Sequence, residues 1–499
     1  MKNPGSPVFY AGSVQLAGRP ALAAAADHPD HTLAPTALTF KEHNMTELQT
    51  LTATAVTTAS ASELPDIIDA LAAVTPGSPL DSARARRPEA RAHAQGSFEA
   101  LFVPVSTTEV SLAERAAVAL FVARLHDNAA ATQFYGALLR ATGGGPGLEP
   151  LIVAEAQAAA GEGPYGAFHA DNASESVAGP AYTVDSVEAA YALGDRLAAA
   201  LEHAHLLVLH PRDASRELLG KLLEAGWSTT GIVTLSQLIA FLTFQLRVAE
   251  GLRVIGARSG TGASSPTPPE GLEQLAREVA EAARHRSGST PNTPEALDGP
   301  AVFERLPEAP RVTQPARFTR EPLGWKPWLA PLPAADFTQQ HRDALIEPDR
   351  IHMPYFRLLA RDPEALRERT LTDLDIFFNT DAGLPRAERE LAATASSRFT
   401  GCVFCASVHA RFAVEQGAPE TAVQRLLDEG VGAELGARWD AIIGATVALT
   451  ATPIRFAESD VAALVAAGLD PLELLDVVQA GAFFNWANRL MLTLGEPSA

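Results

Sequence analysis

Residues 385–419 read PRAERELAATASSRFTGCVFCASVHARFAVEQGAP, and their spacing predicts a pair of consecutive helices. Leu391, Ala392, Ala395 and Phe399 recur at helical intervals. Pro385, Glu388 and Glu390 suit a first turn, where proline forfeits no hydrogen bond and carboxylates meet the positive end of the helix dipole. A second helix is expected over 402–416, stopped by Gly417-Ala418-Pro419. Downstream, helices are expected over 435–449, 458–467 and 471–493, with Gly468 as a break. No run of alternating strand residues is convincing. Abundant alanine and only 6% aromatic residues lean the same way, so the predicted fold is all-α.

The chain has 499 residues, too many for one ordinary core, which implies two or more domains. Residues 256–322 read as a linker. Ser259 to Pro269 is rich in Ser, Gly, Thr and Pro, a short helical pattern runs from Gly271 to His285, and a second Pro-, Ser- and Thr-rich run follows. Such composition buries little and reads as a tether between halves at 50–255 and 323–499. Residues 1–49 read as a disordered leader, with Met45 an alternative start.

The two halves look like copies. An offset of 242 carries Leu193, Gly194, Arg196 and Pro211 onto Leu435, Gly436, Arg438 and Pro453. It also carries Gln237, Ala240, Phe241 and Arg247 onto Gln479, Ala482, Phe483 and Arg489. Upstream the offset is 274, which puts Ala113-Glu114-Arg115 on Ala387-Glu388-Arg389. The difference implies about 32 extra residues in the first copy, expected in the Gly-rich stretch 142–180.

A net charge of −20 and a pI near 5.1 argue against binding phosphate backbones, so no nucleic-acid partner is expected. No stretch approaches 18 uninterrupted apolar residues, and no apolar signal region follows Lys2, so no membrane association is expected and the location reads as cytoplasmic. The only two cysteines stand three apart, which points to redox or metal chemistry rather than a disulfide scaffold.

Cys402, Cys405 and His409 fall on one helical face. Thiols at a helix start feel unpaired N–H groups and the positive dipole, which predicts a lowered thiol pKa. An imidazole one turn on from Cys405 can take its proton. Two close thiols can form a disulfide after one is oxidised, which is the requirement of thiol-based peroxide reduction. Glu390, on the preceding helix, could return against this face. A zinc site is the rival, but three ligands are short of the usual four and there is no second C-x-x-C. Unreactive core thiols are the other.

The pattern Glu390-x11-Cys402-x2-Cys405-x3-His409 resembles the signature of the alkyl hydroperoxidase D-like (AhpD-like) group of the carboxymuconolactone decarboxylase superfamily. The resemblance extends over roughly 325–495, from Leu323-Gly-Trp-Lys-Pro-Trp328 to Phe484-Asn-Trp-Ala-Asn-Arg489. It implies two tandem AhpD-like helical domains, with Cys405 the peroxidatic thiolate, Cys402 the resolving thiol, and His409 and Glu390 the proton relay. It further implies a peroxide substrate, a dithiol electron donor of lipoyl or thioredoxin type, and no cofactor or metal beyond the redox-active Cys402–Cys405 pair. Six-domain rings would make this chain a homotrimer, with a homodimer as the alternative. Some relatives place a histidine between the cysteines where this chain has Phe404.

In the first copy the redox set is gone. Asn128, Ala131, Tyr135 and Ala116 stand at the positions of Cys402, Cys405, His409 and Glu390. That half reads as a degenerate domain kept as a structural partner, with His126 a structural histidine. Two other functions stay open: a cofactor-free decarboxylase or lactone-processing enzyme that does not need the cysteines, and a non-catalytic redox-sensing module. Glu388 and Glu415 read as solvated, Trp325, Trp328 and Trp486 as core or interface anchors, and Arg247 and Arg489 as members of an ion pair. No P-loop, dinucleotide fingerprint or G-x-S-x-G is present.

Overall fold

The computed structural model describes residues 64–258, 268–288, 304–309 and 311–499; the expected leader with Met45, and Ser259 to Thr267 of the linker, lie outside them. The first half supplies α1 (Ile67–Ala72), α2 (Pro79–Arg84), α3 (Pro88–Phe102), α4 (Leu112–Leu125), α5 (Ala129–Ala141), α6 (Gly145–Ala158), α7 (Val187–Leu209), α8 (Arg216–Glu224) and α9 (Thr229–Arg258). After α10 (Leu272–Ser287) come α11 (Gln339–Ala344), α12 (Pro354–Leu359), α13 (Pro363–Phe378), α14 (Arg386–Thr400), α15 (Val403–Glu415), α16 (Glu420–Glu429), α17 (Ala437–Thr450), α18 (Glu458–Ala466) and α19 (Pro471–Thr493). Among the described residues the fold is helical, as expected, with one small exception. β1 (Gly324–Pro327) pairs antiparallel with β2 (Gly495–Ser498), Trp325 facing Pro497. Four-residue strands containing Gly and Pro carry no alternation, so periodicity does not reveal them.

The two consecutive helices of 385–416 are α14 and α15. α14 stops because Gly401 takes φ +92°, a conformation a side chain disfavours, and its N–H bonds back to the Ser397 carbonyl. At the centre α9 packs along α19, and α3 along α13. Phe241 and Phe244 of α9 meet Trp486 and Phe483 of α19 with ring centroids 5.2 and 6.1 Å apart, so one core spans both halves. α9 is long and apolar enough to cross a bilayer by length and composition, but its apolar stretch is wholly buried in the fold.

Bonds made in one half recur in the other at the sequence offsets. Arg247 Nη1 and Nη2 donate to the carbonyls of Thr243 (2.9 Å) and Thr450 (2.9 Å). Arg489 donates to those of Asn485 (3.0 Å) and Val208 (3.1 Å), the same set with the halves exchanged. These arginines are fully buried and bind carbonyls, so the expected ion pair is not what holds them. Arg196 reaches Glu114 at 2.6 Å as Arg438 reaches Glu388 at 2.8 Å. Glu388 is therefore a buried, paired carboxylate and not a solvated one. Trp325, Trp328 and Trp486 are core residues.

Two expectations about connecting segments change. Within 256–322, α10 lays Leu272, Leu275, Ala276, Val279 and Ala283 into the core against α5, so this part of the linker is packed. Within 142–180, α6 begins where the 274 offset puts α16, and the extra residues follow it, in the loop 159–186. That loop is tied down: Gly163 and Thr452 exchange backbone hydrogen bonds at 2.7 and 2.9 Å, and Glu175 pairs with Arg398 at 2.7 Å.

Candidate active site

Cys402 is the N-cap of α15, its Sγ accepting the Cys405 N–H at 3.4 Å. Asn128 caps α5 in the same way, its Oδ1 accepting the Ala131 N–H at 2.9 Å, as the 274 offset requires. Both cysteines are free thiols, 2% and 5% exposed. Glu390, on α14, does come back against α15. Its Oε2 lies 2.6 Å from His409 Nδ1, while Arg386 Nε donates to its other oxygen at 3.2 Å. This fixes the ring and leaves Nε2 as the nitrogen available for proton exchange. Phe484 stands edge-on to the imidazole at 4.1 Å, with Phe377 and Phe412 completing an aromatic wall.

The thiols differ from expectation in two respects. Burial pushes the Cys405 thiol well up, reinforced by the neighbouring Cys402, and the helix start does not offset this. Among the described residues no hydrogen bond joins His409 to either thiol, since the imidazole is turned to Glu390.

Three further groups were not legible from residue spacing. Tyr355 of α12, and Arg369 and Asp373 of α13, lie within electrostatic reach of Cys405. Arg369 is the nearby charge that favours the thiolate, and Asp373 opposes it. Burial also pushes the Asp373 carboxyl up, against the pull of Arg369 and His409. The Tyr355 phenol is pushed up to about 12, again by burial first. An Arg and an Asp four apart on a helix look like an ordinary surface pair, and no local signal shows that they face residues thirty positions on.

The first half also touches the site. Arg212 Nη1 donates to the carbonyls of Phe399 (3.0 Å) and Thr400 (3.3 Å), in the turn that leads into Cys402. Its other nitrogens hold Gly166 and Pro164 of the loop 159–186, and its guanidinium stacks over Phe168 at 4.1 Å. A Cβ on Gly401 would fall on the Arg212 side chain, which gives this glycine a second reason to be there. At the corresponding place in the first half, Tyr135 bonds Gln245 and His126 bonds Val122 and Arg247, all buried, leaving a packed and thiol-free core.

Residues 363–448 match the profile of the carboxymuconolactone decarboxylase family. The matched stretch runs from α13 into α17 and contains Arg369, Asp373, Glu390, both cysteines and His409. No curated protein and no solved structure gives a match.

Proposed function

We propose that this chain, whose residues 363–448 match the carboxymuconolactone decarboxylase family, is a thiol-dependent peroxidase acting on small organic hydroperoxides or hydrogen peroxide. The observation that carries the reading is the 2.6 Å contact of His409 with Glu390, one helical turn from Cys405. In the proposed cycle the Cys405 thiol passes its proton to His409 as the peroxide enters. The thiolate attacks the outer peroxide oxygen, an S–O bond forms, and the O–O bond breaks. The departing oxygen takes the proton back as an alcohol or water. The Cys402 thiol then displaces water from the sulfenic acid to give the disulfide, which an external dithiol reduces.

The bonds that recur at the two offsets support reading the chain as two tandem AhpD-like units, the first degenerate and the second active. A homotrimer is the expected assembly and a homodimer the alternative, separable by light scattering. The decisive assay is peroxide consumption with a dithiol reductant. Wild type is expected to turn over, Cys405→Ser to be dead and Cys402→Ser to stop after one oxidation. The family match keeps a cysteine-independent decarboxylase as a second reading, favoured if Cys405→Ser is fully active on such a substrate. The burial of both thiols favours, as a third, a redox module that forms the disulfide without peroxide turnover.

A further inference from the structure

Within electrostatic reach of Cys405 stand Tyr355 and Arg369, two members of a group of buried hydrogen-bond donors that find no acceptor among the described residues. Among the described residues, the Tyr355 hydroxyl, Arg369 Nε and Trp486 Nε1 are buried without a hydrogen-bond partner. They belong to one cluster. The Arg369 guanidinium lies 5.8 Å from the ring centre of Tyr355, 5.8 Å from that of Trp486 and 5.1 Å from that of Phe483. Trp325 packs edge-on to Tyr355 at 5.4 Å, so the surroundings are aromatic and water-poor. Buried donors left unpaired each cost on the order of 1–3 kcal/mol, a cost that an acceptor entering the cluster would relieve. Three elements supply the cluster, α12, α13 and α19, so no single helix requires it.

We propose that Tyr355 and Arg369 form the oxygen-binding subsite of the peroxidase centre, Tyr355 Oη donating a hydrogen bond to the peroxide oxygen that departs from Cys405. This rests on the peroxidase reading. The subsite consumes no proton of its own. As the S–O bond forms and the O–O bond breaks, negative charge collects on the departing oxygen, and the Tyr355 hydroxyl and the Arg369 charge stabilise it there. The proton that completes the alcohol comes from His409. The aromatic lining suits an apolar organic hydroperoxide over hydrogen peroxide.

The test compares wild type and Tyr355→Phe, a change that removes one oxygen and keeps the ring packing. Reduced protein is mixed with cumene hydroperoxide in single turnover, and Cys405 alkylation by iodoacetamide, which has no departing oxyanion, is measured in parallel. Tyr355→Phe is expected to slow oxidation by on the order of 100-fold while alkylation stays within about twofold. Arg369→Lys, which keeps the charge but loses the planar fork, is expected to fall between the two proteins. Equal oxidation rates in wild type and Tyr355→Phe would overturn the subsite alone and reduce these donors to water-bound bystanders. Parallel loss of oxidation and alkylation would also overturn it, since the hydroxyl would then be acting on the thiol or the fold. Wild type that alkylates but does not react with peroxide would sink the peroxidase reading itself.

Discussion

Arg212 of the first half donates to the Phe399 carbonyl of the second at 3.0 Å, three residues before the first cysteine. The contact makes the approach to Cys402 depend on a residue nearly two hundred positions upstream. Arg212→Ala removes charged hydrogen bonds to Phe399, Thr400, Gly166 and Pro164 together. Charge-assisted bonds of this kind contribute about 1.5–3 kcal/mol each in favourable cases, and these share one group, so a total loss of roughly 2–4 kcal/mol is expected in urea unfolding. Arg212→Lys should recover part of it. A loss below about 0.5 kcal/mol would show that the clamp is decorative.

His409 and Glu390 act as a pair in the proposed cycle. His409→Ala should slow peroxide reduction by roughly 100-fold or more, the usual worth of a positioned acid–base group. Glu390→Gln keeps the shape but removes the charge that orients the imidazole, and should fall between wild type and His409→Ala. Steady-state rates with a dithiol reductant decide it. Unchanged rates in both variants would remove the relay from the mechanism.

The buried Cys405 thiol should be slow to ionise. Its pKa is raised by burial, so it is protonated at neutral pH and its thiolate fraction grows only on the alkaline side. Alkylation at Cys405, mapped by mass spectrometry, should still be climbing at pH about 8.5, where an ordinary thiol is half ionised. A plateau reached below pH 8 would contradict the burial argument. The linked stability is full below the unfolded thiol pKa and is lost as pH rises from there towards the folded one.

A second pH dependence is expected where α3 meets α13. Burial opposes the charge on His93, but hydrogen bonds to Glu368 (2.6 Å) and Glu89 (3.2 Å) prevail and raise its pKa from 6.5 to about 9. The raised value means the contribution is fully present below pH 6.5 and disappears as pH climbs through 9. It amounts to at most about 3 kcal/mol. Urea unfolding of wild type and His93→Gln at pH 6 and pH 9.5 should show a difference that shrinks with pH; a constant difference would refute it.

Helical periodicity was enough to place α14, α15, α17, α18 and α19, because each carries a regular apolar face with glycine or proline at its ends. The internal offsets put Arg196 and Glu114 on Arg438 and Glu388, and each pair bonds within its own half, which the sequence reading of Glu388 as solvated did not foresee. Cys402, Cys405 and His409 were legible as neighbours because they share helical spacing, and two consecutive helices left room for Glu390 to come back against them. Tyr355 and Arg369 were not, because tertiary packing alone brings α12 and α13 to the thiols. The Cys405 pKa was misjudged for the same reason. A local rule about helix starts says nothing of how much water the rest of the fold excludes. Composition likewise hid the packing of α10, a helix legible from Gly271 to His285 whose six buried residues lie between Pro- and Ser-rich flanks.

The exchange of carbonyl partners between Arg247 and Arg489 has a bearing on how the chain can vary. Each half completes the other with groups that take no part in thiol chemistry, so the seam places no demand on which half keeps a reactive centre. Replacing cysteine or histidine in the second half would leave the join intact, whereas a cut at 258–268 should yield two fragments that survive only together. Covalent linkage thereby fixes a ratio of one C-x-x-C to two halves, whatever number of chains assembles.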